Sequence, residues 1–163
     1  MSVKQISVFL ENRPGALCEM TKVLADEKID MRAFSLAETS EFGIARILVK
    51  DVYKAITVLK DQDYITTVSE AVAVAIPDVP GGLHSVIQAI ADAGINLEYM
   101  YCFLGGNSGK AYLVCKVADV ASAEAALAAK GARMVDQEDV SLPFIHSFIL
   151  SLSKLLACIQ SRF

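Results

Sequence analysis

Two short turns carry the residues best suited to hold a small molecule. They are residues 12–15, with the sequence NRPG, and residues 78–81, with the sequence DVPG, and each lies between a strand-like run and a helical pattern. The first backbone N–H groups of a helix have no partner within the helix, and the positive end of the helix dipole lies beside them. This chemistry attracts a carboxylate, so each turn is a candidate anion site.

The residue types in these turns suit close contact with a ligand. Gly15, Gly81 and Gly82 lack a Cβ, which lets a small molecule approach the backbone. Asn12 and Asp78 can cap the following helix or contact a ligand. The alternative is that all five are ordinary turn and cap residues.

Other candidate sites fail on spacing. The stretch GGNSGK at 105–110 resembles a phosphate-binding loop, but its first glycine is one position too close and Ala111 stands where a Ser or Thr would hold magnesium. We interpret it as a hairpin turn. His84 has no neighbouring nucleophile or carboxylate to form a catalytic set. The sequence therefore predicts a protein that is not an enzyme and has no cofactor.

The cysteines do not form a metal or disulfide pattern. Cys18, Cys102, Cys115 and Cys158 are far apart with no C-x-x-C spacing. We expect them to be reduced and buried, with no metal site.

Composition excludes several classes of protein. Apolar residues make up 54% of the 163 residues and charged residues 21%, which indicates a folded chain. The net charge of −4 excludes a broad basic face for nucleic acid. The first residues lack the pattern of a signal peptide, and no stretch of 18 residues is free of polar side chains. We expect a cytoplasmic protein without a membrane span.

One structural unit occurs twice in the chain. LENRPGAL at 10–17 returns as IPDVPGGL at 76–83, and the same offset of 66 residues relates Asp30 to Asn96 and Gly43 to Gly109. Each unit follows the order βαββαβ of a ferredoxin-like α+β domain. The predicted units are residues 1–69 and 70–138, and each is small enough to need the other for a stable core.

The period of apolar residues gives the elements of both units. In the first unit, strands are expected at 3–10, 29–38, 43–50 and 64–68, with helices at 16–28 and 52–60. In the second, strands are expected at 72–76, 97–104, 110–117 and 133–136, with helices at 82–93 and 120–129. Residues 139–163 predict an amphipathic C-terminal helix that packs on the protein's own sheets or on a dimer partner; an extension without structure and attachment to a membrane surface are the alternatives.

Motif, order and spacing together resemble a tandem pair of ACT domains, which are regulatory modules that bind small ligands, commonly amino acids. The resemblance rests on the N/D-x-P-G-x-L turns and on the entries KIDM and GINL into the second strands. It implies ligand sites at interfaces between two such domains, where the turn of one domain meets the start of the second strand of its neighbour. One site would combine Asn12, Gly15, Ala16 and Leu17 with Asn96, the other Asp78, Gly81, Gly82 and Leu83 with Asp30, and Arg13 and Val79 hold the variable turn position.

The expected function is therefore a non-catalytic regulatory protein that binds a small ligand, an amino acid, and acts on a partner enzyme. Asn12 and Asn96 offer neutral groups, whereas Asp78 and Asp30 place two negative charges near one anion, so the first site should bind better. Apolar edge strands predict a homodimer. The alternatives are an assembly module without ligand and a small enzyme on the same scaffold.

Overall fold

The chain folds into seven strands and four helices within the part that the structure describes. This structure is a computed structural model, and it describes residues 2–39, 41–105 and 110–139. The elements are β1 Ser2–Glu11, α1 Ala16–Asp26, β2 Met31–Glu38, β3 Phe42–Val49, α2 Val52–Asp61, β4 Thr66–Pro77, α3 Gly82–Asp92, β5 Leu97–Gly105, β6 Lys110–Val117, α4 Val120–Ala129 and β7 Arg133–Met134. The expected C-terminal helix lies outside the described residues, apart from Asp139.

The two units share one long strand, β4, where the sequence predicted two separate strands. Its first half pairs antiparallel with β1, and its second half pairs with β6 and β7. The stretch from Thr66 to Ile76 is free of glycine and proline and rich in Val and Ala, so nothing in it ends the strand. The predicted boundary at residues 69 and 70 falls inside β4, and each half of this strand belongs to a βαββαβ unit.

The sheet curls so that its two ends meet. The strand order is β2-β3-β1-β4-β6-β5, with β7 beside β4. Although β2 and β5 stand at opposite ends of that order, they contact each other. The helices cover the outer face of each unit, and the two remaining faces pack on one another.

Three apolar clusters fill the molecule. One lies between the first-unit sheet and helices α1 and α2, and a second lies between the second-unit sheet and α3 and α4. The third joins the two units, and its fully buried side chains include Val3, Leu48, Ala73 and Val114. The expectation that the small units pack on each other is thus met by a shared core.

A buried polar cluster lies in this shared core. Gln5 is fully buried, and its Nε2 donates to the Tyr99 hydroxyl at 2.7 Å while its Oε1 accepts from the Tyr101 hydroxyl at 3.0 Å. The Arg46 guanidinium lies 3.9 Å from the centre of the Tyr99 ring. Residues of both units therefore satisfy each other's polar groups.

The cysteines differ from the expectation. Cys115 is buried, but Cys18 and Cys102 are exposed, because Cys18 lies on the outer side of α1 and Cys102 on the edge strand β5. Cys158 lies outside the described residues. The pairing of Gly105 with Lys110 agrees with a hairpin at GGNSGK, and strand β6 follows it directly.

Candidate functional site

Both predicted turns place a left-handed glycine at the start of a helix. Gly15 has φ of 90° and Gly81 has φ of 88°, and neither N-cap has a side-chain hydrogen bond to the helix. The other two helices differ: the carboxylate of Asp51 accepts from the backbone of α2, and that of Asp119 accepts from the backbone of α4.

The first N–H of α1 and that of α3 donate within their turns, Ala16 to the Arg13 carbonyl oxygen at 3.3 Å and Gly82 to the Val79 carbonyl oxygen at 3.0 Å. The next amides, of Leu17 and Leu83, have no cap side chain to receive them.

The residues after each glycine expose backbone rather than side chain. Ala16 is buried, and the side chains of Leu17 and Leu83 pack against the apolar clusters of their units. A ligand at these positions would therefore meet backbone rather than side chain, with the N–H groups of Leu17 and Leu83 as donors. At Gly82, an added Cβ would lie 2.3 Å from the Pro77 carbonyl oxygen, so this glycine is needed for tight packing of the turn.

Asn12 ties the first turn to the β2–β3 hairpin. Its Nδ2 donates to the carbonyl oxygen of Thr39 at 2.9 Å, and its backbone N–H donates to that of Glu41 at 3.1 Å. These bonds hold the turn beside the hairpin. A contact between Asn12 and a ligand can use the side-chain oxygen or the second N–H of Nδ2.

An internal ion pair covers the first turn. Arg13 donates to Glu11 at 2.9 Å and makes two bonds to Glu19, at 2.9 and 2.6 Å. The two carboxylates raise the pKa of Arg13, and Arg13 lowers the pKa of Glu19. Glu19 Oε1 lies 3.5 Å from the place that a Cβ on Gly15 would take. A carboxylate of the protein itself therefore stands over this turn, a feature that the sequence analysis missed.

The second turn is open by comparison. Val79 stands at the position of Arg13 and is 60% exposed, and Ser85 stands at the position of Glu19. Among the described residues, no atom lies within 4 Å of the place for a Cβ on Gly81. Asp78 is exposed. The two turns share backbone geometry but differ in charge.

The residues predicted to complete the sites each lie at the start of a second strand. Asn96 directly precedes β5 and is exposed. Asp30 directly precedes β2, and its carboxylate lies 3.1 Å from a guanidinium nitrogen of Arg32. This pairing offsets the negative charge that the sequence alone assigned to Asp30.

Strand register sets the separation of these residues within one copy. Strand pairing relates each of these residues to a position on β4 or on the extension of its line. Asn12 corresponds to position 62 and Asn96 to position 69, a difference of seven residues, or about 23 Å along the strand direction. The same count places Asp30 level with position 71, about 23 Å from Asp78. By this count, neither turn lies level with its predicted counterpart within one copy.

The described residues show neither a metal cluster nor a membrane helix. In residues 2–39, 41–105 and 110–139, no group of three or more His, Cys, Asp or Glu side chains could hold a metal ion. No helix in these ranges is both long and apolar enough to span a bilayer.

Comparison with known proteins identifies the fold family. The model of the ACT domain pair matches residues 1–142. Protein BT0572 from Bacteroides thetaiotaomicron is similar in structure, with a TM-score of 0.81, 35% identity, and coverage of 88% of this chain and 98% of that one. The ligand-free regulatory subunit of aspartate kinase from Thermus thermophilus has a TM-score of 0.60 and 19% identity, with coverage of 78% and 90%.

A further solved structure agrees with this fold. The regulatory subunit of aspartate kinase from Thermus flavus has a TM-score of 0.58 and 21% identity, and the match covers 77% of this chain and 88% of that one. No curated protein matches the chain. The family match spans both βαββαβ units and both glycine turns. The chain belongs to the family of ACT domain pairs.

Proposed function

We propose that the chain is a non-catalytic regulatory protein that binds an amino acid at its two glycine turns. One observation carries the proposal: α1 and α3 begin at a left-handed glycine without a side-chain cap, whereas Asp51 and Asp119 cap α2 and α4. Uncapped amides at a helix start suit the α-carboxylate that all amino acids share. In this proposal, the amide of Leu17 holds the ligand carboxylate in one site and that of Leu83 holds it in the other, beside the Ala16 and Gly82 amides that donate within the turns.

A second copy of the chain completes each site in this proposal. The register offsets each turn from its counterpart by about 23 Å along the strand direction within one copy, which favours Asn96 or Asp30 from another copy. The protein is accordingly proposed to work as a homodimer. The exposed apolar side chains of Phe34 and Leu36 on β2, at 40% and 44% exposure, support association.

The charges at the turns favour a zwitterion. At the first turn, a ligand carboxylate can take the place of Glu19 on Arg13 while the ligand ammonium pairs with Glu19. Both side chains are about half exposed, so water screens the pair and a ligand can reach both groups. At the second turn, Arg32 offsets Asp30 but Asp78 remains exposed, and we expect weaker binding there.

The regulatory role is proposed to act on an enzyme in the cytoplasm. Two of the similar structures are regulatory subunits of aspartate kinase, which supports a partner enzyme for this chain. Ligand binding at a site shared by two copies would favour one arrangement of the dimer, and the partner would respond to that arrangement.

Thermal unfolding in the presence of each of the twenty amino acids tests the proposal. A ligand at a hundredfold excess over its Kd should stabilise the protein by about 2.7 kcal/mol. Asn96→Ala removes the hydrogen bond that Asn96 would make to the enclosed ligand, and it should weaken binding by about 1 to 3 kcal/mol. Glu98→Ala, at an exposed residue of β5, should leave binding unchanged. If no amino acid shifts the transition, the chain is an assembly module instead.

A further inference from the structure

A cavity lies at the same place in both units. In the first unit it has a volume of about 390 Å³ between the end of β1, the start of α1 and residues 62–65. In the second unit it has about 590 Å³ between the end of β4, α3 and residues 130–133. The repeat relates these linings. Residues 9–11 correspond to 75–77 at the offset of 66, and residues 62–65 after α2 correspond to 130–133 after α4 at an offset of 68. The two cavities can therefore be compared position by position.

The two cavities have opposite charge. The first is lined by three carboxylates, of Glu11, Glu19 and Asp63, against the single guanidinium of Arg13. The second is lined by the ammonium of Lys130, the guanidinium of Arg133 and the imidazole of His84, against the carboxylate of Asp92. The two cavities thus lie at corresponding places in the repeat, but their charges suit different ligands.

The ion pairs in the second cavity are weak. Lys130 Nζ lies 3.6 Å from Asp92, and Arg133 lies 3.4 Å from Asp139. The side chains of both cations are about 60% exposed. Because exposed pairs at such distances contribute little, an incoming anion can compete for both cations.

The floor of the second cavity is apolar. It consists of side chains that are at most 9% exposed, namely Ala75, Ile76, Val86, Ala89 and Leu127. The polar groups stand around this floor on α3, after α4 and on β7. An apolar floor with a few convergent polar groups, in a volume of roughly 300 to 1,000 Å³, is typical of small-molecule sites.

We propose that the second-unit cavity binds a small organic anion, a carboxylate with a short hydrocarbon chain. Lys130 and Arg133 hold the carboxylate, His84 donates to it, and the hydrocarbon covers the apolar floor. The second cavity includes none of the turn residues Asp78, Gly81 and Gly82, whereas the first includes Arg13 and Ala16 of its turn. The proposed anion site is therefore distinct from the amino-acid site proposed at the turn of its own unit.

Titration of the full chain with hexanoate, followed by the backbone amide NMR signals, tests this site. Saturable shifts are expected for Ser85, Gln88 and Gly131, and hexylamine should not produce them because its charge is opposite. The variant Lys130→Gln/Arg133→Gln should raise the Kd for hexanoate at least tenfold, which corresponds to about 1.4 kcal/mol.

Lys60, an exposed cation in the last turn of α2 that lines neither cavity, supplies the matched control. Lys60→Gln removes one positive charge outside the proposed site and should leave the Kd for hexanoate unchanged. The single variant Lys130→Gln changes one exposed residue at the end of α4 and should give a smaller loss of affinity. It keeps the proposal testable if the double variant does not fold. Absence of saturable shifts at millimolar hexanoate would overturn the proposal, as would equal binding of hexylamine or an unchanged Kd in folded variants.

Discussion

At the scale of single residues, the polar contacts of Gln5 join the two units. Its side chain is fully buried and bonds the hydroxyls of Tyr99 and Tyr101, which both come from β5. Gln5→Leu keeps the volume but leaves two hydroxyls without this partner. We predict a loss of about 1 to 3 kcal/mol in the free energy of unfolding, measured by urea titration. The exposed Gln88→Leu serves as control, and equal stability of the two variants would contradict the account.

The thiols give a second prediction at this scale. Burial raises the pKa of Cys115 to about 12 and also raises that of Cys102. Because the thiolate is the reactive form, alkylation of the native protein at pH 8 should modify Cys18 first, Cys102 more slowly, and Cys115 only after unfolding. Peptide mass mapping measures this order. Early modification of Cys115 would show that the packing between β6 and the second-unit helices is wrong.

The raised pKa of Cys115 also makes the stability of the folded chain depend on pH. The pKa of Cys115 is higher in the folded chain than its ordinary value of 9.0. Its contribution to stability is therefore complete below pH 9.0 and is lost as the pH rises toward 12.

At the scale of elements, the four helices begin in two different ways. The Asp51 carboxylate accepts from Lys54 N at 2.9 Å, and the Asp119 carboxylate accepts from Ser122 N at 3.0 Å. Asp51→Ala and Asp119→Ala should each lower the free energy of unfolding by about 1 kcal/mol through loss of the cap, without changing ligand binding. Chemical denaturation measures the change in stability, and calorimetry measures ligand binding. A loss of amino-acid binding in Asp51→Ala would contradict the assignment of the sites.

The glycine turns respond differently to substitution. Gly81→Ala places a Cβ in open space, but φ of 88° is unfavourable for alanine by about 1 to 2 kcal/mol. A glycine substitution therefore reports backbone strain together with any ligand effect. Asn96→Ala is the sharper probe of the site because it leaves the turn unchanged.

Most elements could be predicted from the sequence because local signals define them. Proline and glycine in the turns 12–15 and 78–81 separate each first strand from its helix, and α4 begins and ends where the alanine-rich pattern predicts. The fusion of two strands into β4 could not be predicted by period alone, since a continuous strand and two adjacent strands have the same pattern.

At the scale of the whole molecule, the curl of the sheet decides which residues meet. It brings Gln5 to the tyrosines of β5 across 94 and 96 residues of sequence, and no motif marks that contact. The glycine turns were predictable because they are local and repeated. The cover that Arg13 and Glu19 form over the first turn was not, because it depends on side-chain geometry on α1.

The central claim is that the uncapped amides of α1 and α3 hold the carboxylate of an amino acid, and amide NMR tests it most directly. The twenty amino acids are added in pools to the labelled full chain, and the active pool is divided until one ligand remains. The account predicts saturable shifts of the Leu17 and Leu83 amides, with the capped amides of α2 unmoved. Saturable binding that leaves these two amides unchanged, or no binding by any pool, would contradict it.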